Sequence, residues 1–148
     1  MDIRQLRAGN LVTTDGKPMN TIENGIYKVV RTIFEHDLVV LDTTHENFYD
    51  ETTTNISNLF PIRIKTEMPN YIGFKLCSGV YCMDLKGYEF RLLYGSLILD
   101  NTPNFRLVIN KGMIEQPLLA NVKYLHTLQN LILDITGLDL NVDNLITK

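Results

Sequence analysis

Few residues in this 148-residue chain have a type and spacing that could do chemistry. Cys77 and Cys82 form a C-x4-C pair. A structural zinc site takes about four ligands, usually in two close pairs. No second Cys or Cys/His pair accompanies these thiols, so they read as two small, partly buried side chains. A disulfide would need them directly opposite in a hairpin, and Ser78-Gly79 as the turn misaligns them. His45 and Glu46, with Asp42, Asp50 and Glu51 nearby, supply the imidazole and oxygen donors of a divalent-cation site. They do not follow the D-x-[DN]-x-[DN]-G spacing of a calcium loop, so a solvated acidic loop is the plainer expectation. If a metal is held, Asp42, His45, Glu46 and Asp50 are the candidates. His126 and Gln129 are the remaining two. Helical periodicity puts His126 on a polar face and Gln129 at the border of an apolar one, where a buried amide would bond to neighbouring backbone. A catalytic histidine needs an orienting carboxylate and a nucleophile, and neither can be assigned.

The recurring catalytic and phosphate-binding signatures are missing. There is no GxxxxGK[ST], GxGxxG, GxSxG or HExxH. No catalytic residue and no cofactor is therefore expected. Tyr88, Arg91 and Tyr94 come closest to the interleaved aromatic and basic residues of a nucleic-acid surface, but Glu89 sits among them and the net charge is −3. Between Arg31 and Arg63 there is no Lys or Arg, while Glu35, Asp37, Asp42, Glu46, Asp50 and Glu51 are acidic. That stretch would suit a cation or a basic partner, or simply solvated loops and strand edges. Met1-Asp2-Ile3-Arg4 opens directly into mixed polar sequence, without a signal-peptide pattern, and no apolar run is long enough to span a bilayer. A cytoplasmic location with reduced thiols and no membrane partner is expected.

The elements that must position these residues are mostly strands. In residues 1–65, Leu11–Thr14 lies between Gly9-Asn10 and the Asp15-Gly16 turn. Gly25 precedes a β-branched run from Ile26 to Phe34, His36-Asp37 turns the chain, and Leu38–Leu41 follows. Asn47–Tyr49 and Ile56–Phe60 are weaker strands, the last ended by Pro61. Such short strands suggest a small SH3-like β-barrel or bent sheet. Residues 66–148 read as an antiparallel meander: Tyr71–Leu76, Val80–Leu85, Tyr88–Tyr94, Ser96–Leu99 and Phe105–Ile109, with turns at Ser78-Gly79 and Lys86-Gly87. Tyr88, Phe90 and Leu92 alternate with Glu89 and Arg91, as in a half-buried strand. Over 122–136 the spacing predicts a helix. Tyr124, Leu125, Leu128, Leu131, Ile132 and Ile135 fall on one arc, opposite Lys123, Thr127, Asn130 and Asp134. Gly137 stands where a helix C-cap needs positive φ. The helix is expected to lie as a lid on the second sheet, giving an α+β fold in one compact unit. Alternating Leu138, Leu140 and Val142 suggest a last edge strand or irregular packing.

Four segments resemble a group of short bacterial proteins encoded near prophages and other mobile elements. Leu6-Arg7-Ala8-Gly9-Asn10-Leu11-Val12 is similar to their LRxGNxV opening. Ile56–Ile62 is similar to their I..L.PIPL segment, and Tyr71–Phe74 to their L...GF segment. Tyr124–Leu131 with Thr136–Leu140 resembles their YVHQLQNLYFALTGEEL ending. Order and spacing agree over nearly the whole chain. Met68-Pro69 stands where the group carries a short helix, and Ile132-Leu133 where it tends to be aromatic. The resemblance implies a bacterial or phage setting and one unit that keeps both ends together. It transfers no catalytic residue. The expected function is a non-enzymatic binding module with an unknown protein partner or self-association. The alternatives are a nucleic-acid-associated accessory protein and a divalent-cation-binding protein using the acidic 35–51 region.

Overall fold

The computed structural model describes residues 1–44, 50–96, 103–112 and 118–146. It is an α+β fold of two five-stranded antiparallel sheets and one α-helix. The first sheet holds β1 (Leu11–Asp15), β2 (Glu23–Ile33), β3 (Leu38–Asp42), β4 (Glu51–Asn55) and β5 (Leu59–Phe60) in the order β4-β3-β2-β1-β5. The second holds β6 (Lys75–Cys77), β7 (Val80–Leu85), β8 (Tyr88–Ser96), β9 (Pro103–Lys111) and β10 (Leu118–Val122) as a simple meander. Helix α1 spans Leu125–Thr136.

Turn chemistry sets the second sheet. Ser78 (φ 53°) with Gly79 (φ 82°), and Lys86 (φ 51°) with Gly87 (φ 79°), occupy the left-handed region at both central positions. This backbone matches the strand twist and gives two-residue hairpins, pairing Cys77 with Val80 and Leu85 with Tyr88. The first sheet is less regular. Register shifts break the β1–β2 and β2–β3 ladders. Among the described residues no ladder joins β4 to β5, so the sheet stays open. Gly25 lies inside β2 rather than before it. A Cβ there would sit 2.8 Å from the Tyr27 ring, which folds back so that its hydroxyl accepts from the Ile22 N–H at 3.0 Å.

Several elements differ from expectation. β4 is a Thr-rich strand whose alternation hides Thr52 and Thr54, with no aliphatic pattern to reveal it. Ile56–Asn58 is a 3-10 turn capped by Asn55, and only Leu59–Phe60 is strand. The start of the expected 71–76 strand belongs to a 3-10 turn over Met68–Tyr71, so this chain does carry a short helical turn at Met68-Pro69. Val122 closes a strand, and the helix begins three residues later. Leu140 and Val142 are buried without forming a described strand. The strands expected at 47–49 and 97–99 lie outside the described residues, while Ser96 continues β8.

Adjacent residues of β1 serve two cores. Val12 packs with Ile3, Leu6, Tyr27, Val29, Val39, Leu41 and Leu59 inside the first sheet. Leu11, on the opposite face, packs with Phe90, Phe105, Leu107, Leu125, Leu128 and Ile132 in the larger core. Strand alternation produces this division. Helix α1 touches both β1 and β10, and its buried residues share one core with Leu11 and the second sheet, so it is not a lid on the second sheet alone. Thr136 and Gly137 end it: Gly137 has φ 73° and donates to the Leu133 carbonyl at 2.8 Å.

Candidate functional site

The sequence places chemistry-bearing residues along α1, in the acidic 42–51 stretch and on the β6–β7 hairpin. The structure gives each a different environment.

Gln129 is buried at 6% exposure. Its Oε1 accepts from the Leu11 N–H at 3.0 Å and its Nε2 donates to the Gly9 carbonyl at 2.9 Å. The side-chain amide thus pairs with β1 as a strand backbone would, past the point where β5 has turned away. Its neighbours extend this contact. Asn130 Nδ2 donates to the Gln5 carbonyl at 2.9 Å, and Asn130 Oδ1 accepts from Asn10 Nδ2 at 2.9 Å. Asn10 Oδ1 accepts from the Arg7 N–H at 2.9 Å. Asp134 receives Arg7 through two bonds of 2.5 and 3.1 Å, and that guanidinium holds its carboxyl below the usual range. Gly9 lies at φ 91°, which lets the chain bend into this clasp.

His126 corrects a sequence expectation: it is buried at 3% exposure, not on a polar face. Side chains lean toward the N-terminus of a helix. Accordingly its ring stacks on the N-cap Tyr124, with centroids 5.9 Å apart and planes at 15°. Nδ1 is buried with no hydrogen-bond partner among the described residues. Burial pushes the imidazole below its ordinary pKa, and the N-terminal ammonium adds to the shift. The helix start is held by an antiparallel bridge from Arg63 to Tyr124. The Ile64 N–H donates to Lys123 O at 3.0 Å, and the Leu125 N–H donates to Ile62 O at 2.8 Å. Lys123 Nζ lies 5.3 Å from the Tyr124 ring centroid.

The Asp42 and Glu51 side chains of the acidic stretch have partners within the chain. Asp42 Oδ1 accepts from the N–H and hydroxyl of Thr44, and the Thr43 N–H donates to Asp50 O at 2.8 Å. Glu51 pairs with Arg31 at 3.5 Å. No group of three or more His, Cys, Asp or Glu suited to a metal ion occurs among the described residues. His45 and Glu46 lie outside them. Cys77 faces Val80 and Cys82 faces Lys75 across the hairpin, so the two thiols are diagonal neighbours on one face, and both are free. Burial raises the Cys82 thiol pKa, and the nearby Cys77 adds to it. Strand alternation puts Arg91 on the face of β8 opposite Tyr88 and Tyr94, and Glu89 holds it at 2.6 Å.

One feature lay beyond sequence reasoning. A groove of about 460 Å³ is lined by Lys65, Thr66, Glu67, Met68, Tyr71 and Leu145. The 3-10 turns Met68–Tyr71 and Asp143–Leu145 supply its apolar wall, and Asn144 Nδ2 approaches the Tyr71 carbonyl at 3.5 Å. Tyr71 is 54% exposed. Residues from chain segments some 75 apart meet here without forming a periodic pattern, so the only local signal was the Met68-Pro69 pair. No helix among the described residues is long and apolar enough to cross a membrane. The chain matches no known family model, no curated protein and no solved structure.

Proposed function

We propose that this protein is a non-enzymatic binding module whose partner docks in the groove over Lys65, Thr66, Glu67, Met68, Tyr71 and Leu145. The observation that carries this reading is the groove itself: a concave, mainly apolar surface bordered by a few charged and polar groups, with a large aromatic side chain left in solvent. Its chemistry suits an extended polypeptide segment that presents one large apolar side chain, with Lys65 and Glu67 contacting polar groups on either side. The setting we propose is the cytoplasm of a bacterium carrying a phage or other mobile element, on the resemblance of the two chain ends to that group. We also read the first sheet as SH3-like. Its strand order, with a 3-10 turn immediately before the short β5, supports that reading.

A photo-crosslinking residue in place of Tyr71, in cells of the native host, should give one discrete protein adduct. The same residue in place of Lys86, at a remote hairpin, should not. Identical adducts from both positions would remove the groove from consideration. Turnover of a low-molecular-weight substrate by the purified protein, abolished by Met68→Glu, would overturn the non-enzymatic reading.

A further inference from the structure

We propose that the N-terminal end of α1, with Arg63, Lys123 and His126, is a binding site for a small oxyanion, a carboxylate or phosphate group carried by a ligand. The first turn of a helix presents N–H groups without intrahelical partners and the positive end of the helix dipole. Here that end has no side-chain cap. The N-cap is Tyr124, which makes no side-chain cap bond, and the first turn holds no acidic residue. The Leu125 N–H is taken by Ile62 O, and the first intrahelical bond is from the Leu128 N–H to Tyr124 O. The His126 and Thr127 N–H groups have no hydrogen-bond partner among the described residues.

Independent observations at the same place point to a ligand. His126 is 97% buried by its 3% exposure, and its Nδ1 has no partner among the described residues. Its ring lies on the N-cap residue, at that same end of the helix. An unpartnered buried polar atom carries a desolvation penalty, which a bound group would relieve. Arg63, paired with Tyr124 through the backbone bridge, also has a buried Nε with no partner and forms no ion pair among the described residues. Lys123 Nζ lies over Tyr124. Arg63 and Lys123 thus flank Tyr124, the N-cap residue on whose ring His126 stacks, in a chain whose net charge is negative. Together they match the donor needs of an oxyanion and leave it with no competing carboxylate from the first turn. The groove is not needed for this site.

The test is an NMR titration of the full chain, following the His126 and Thr127 amides and the His126 ring. Sodium phosphate is one arm, sodium acetate another, with ionic strength held constant by sodium chloride. Saturable shifts at His126 and Thr127 are expected. Saturation by both anions identifies a general oxyanion site that a carboxylate-bearing partner can fill. Saturation by phosphate alone identifies a phosphate-bearing ligand. Arg63→Gln should weaken binding by about tenfold or more, the loss of a charge-assisted hydrogen bond. If that variant misfolds, Lys123→Gln, at an exposed position, should still weaken it measurably. Lys75→Gln, on the far edge of the second sheet, should leave it unchanged. Absence of saturable shifts with either anion, or equal affinity in the Lys123 and Lys75 variants, overturns the site.

Discussion

The two ends of α1 differ in one respect: on one flank every polar group has found a partner, and at the N-terminal end several have not. Gln129, Asn130 and Asp134 bind the Gln5–Leu11 segment through a continuous set of hydrogen bonds. His126, three residues before Gln129 and more deeply buried, has an imidazole nitrogen with no hydrogen-bond partner among the described residues. Both are polar residues in the buried part of one helix, yet they should respond oppositely to replacement. A satisfied buried amide supports the fold. An unsatisfied imidazole costs stability, a cost that the ligand we propose would offset.

The largest expected effect follows from Gln129. Gln129→Leu keeps much of the volume but strands the Leu11 N–H and the Gly9 carbonyl. Each buried orphan costs on the order of 1–3 kcal/mol, so the loss should be about 3 kcal/mol. Urea unfolding followed by far-UV circular dichroism measures it. A loss below about 1 kcal/mol would mean that water replaces the amide and that the clasp is not a closed contact.

This contrast also shows how much could be read beforehand. Leu6–Val12 and Tyr124–Leu131, far apart in sequence, prove to be hydrogen-bonding partners. Side-chain types and local periodicity placed α1, its Gly137 cap and both Gly-containing hairpins, because each is determined within a few residues; they also marked Gln129 as a buried amide bonding backbone, while its partners Leu11 and Gly9 lie far off in sequence. The burial of His126 was illegible. A helical wheel with one apolar arc assumes one packed face, and α1 is packed on two sides, by β1 and by the second sheet. β4 escaped because threonines fill buried positions that usually carry aliphatic residues. The groove escaped because its lining comes from two irregular segments far apart in sequence.

An intermediate effect sharpens the other half of the contrast. His126→Leu replaces an unpartnered buried imidazole with an apolar group of similar size. It should leave stability within about 1 kcal/mol of the parent, on the stabilising side. The pH dependence gives the sign independently. The folded pKa of His126 lies below its unfolded value, so the unfolded chain binds the proton more readily. Its contribution is therefore steady above about pH 6.5 and falls as pH drops below that, until the folded pKa is reached. The N-terminal ammonium acts on His126 in the same direction. His126→Leu should flatten the stability profile between neutral pH and the carboxylate range. An unchanged acid limb would show that His126 titrates without penalty and has a partner in solution.

The smallest expected effect concerns the most visible bond of the clasp. Arg7 and Asp134 meet in a two-pronged ion pair, yet their side chains remain 44% and 56% exposed. Solvent and salt screen such a pair, and ordering two long side chains offsets much of the attraction. Asp134 has its carboxyl held down by Arg7, so its contribution is present at neutral pH and lost as pH falls through the acidic carboxylate range. Arg7→Gln should lower the unfolding midpoint slightly in dilute buffer and not measurably at high salt. The Arg7 backbone N–H remains bound to Asn10 Oδ1 whatever the side chain is, so the turn keeps its shape. A salt-insensitive loss as large as that of Gln129→Leu would show that the charged pair, not the buried amide, holds the two ends of the chain together.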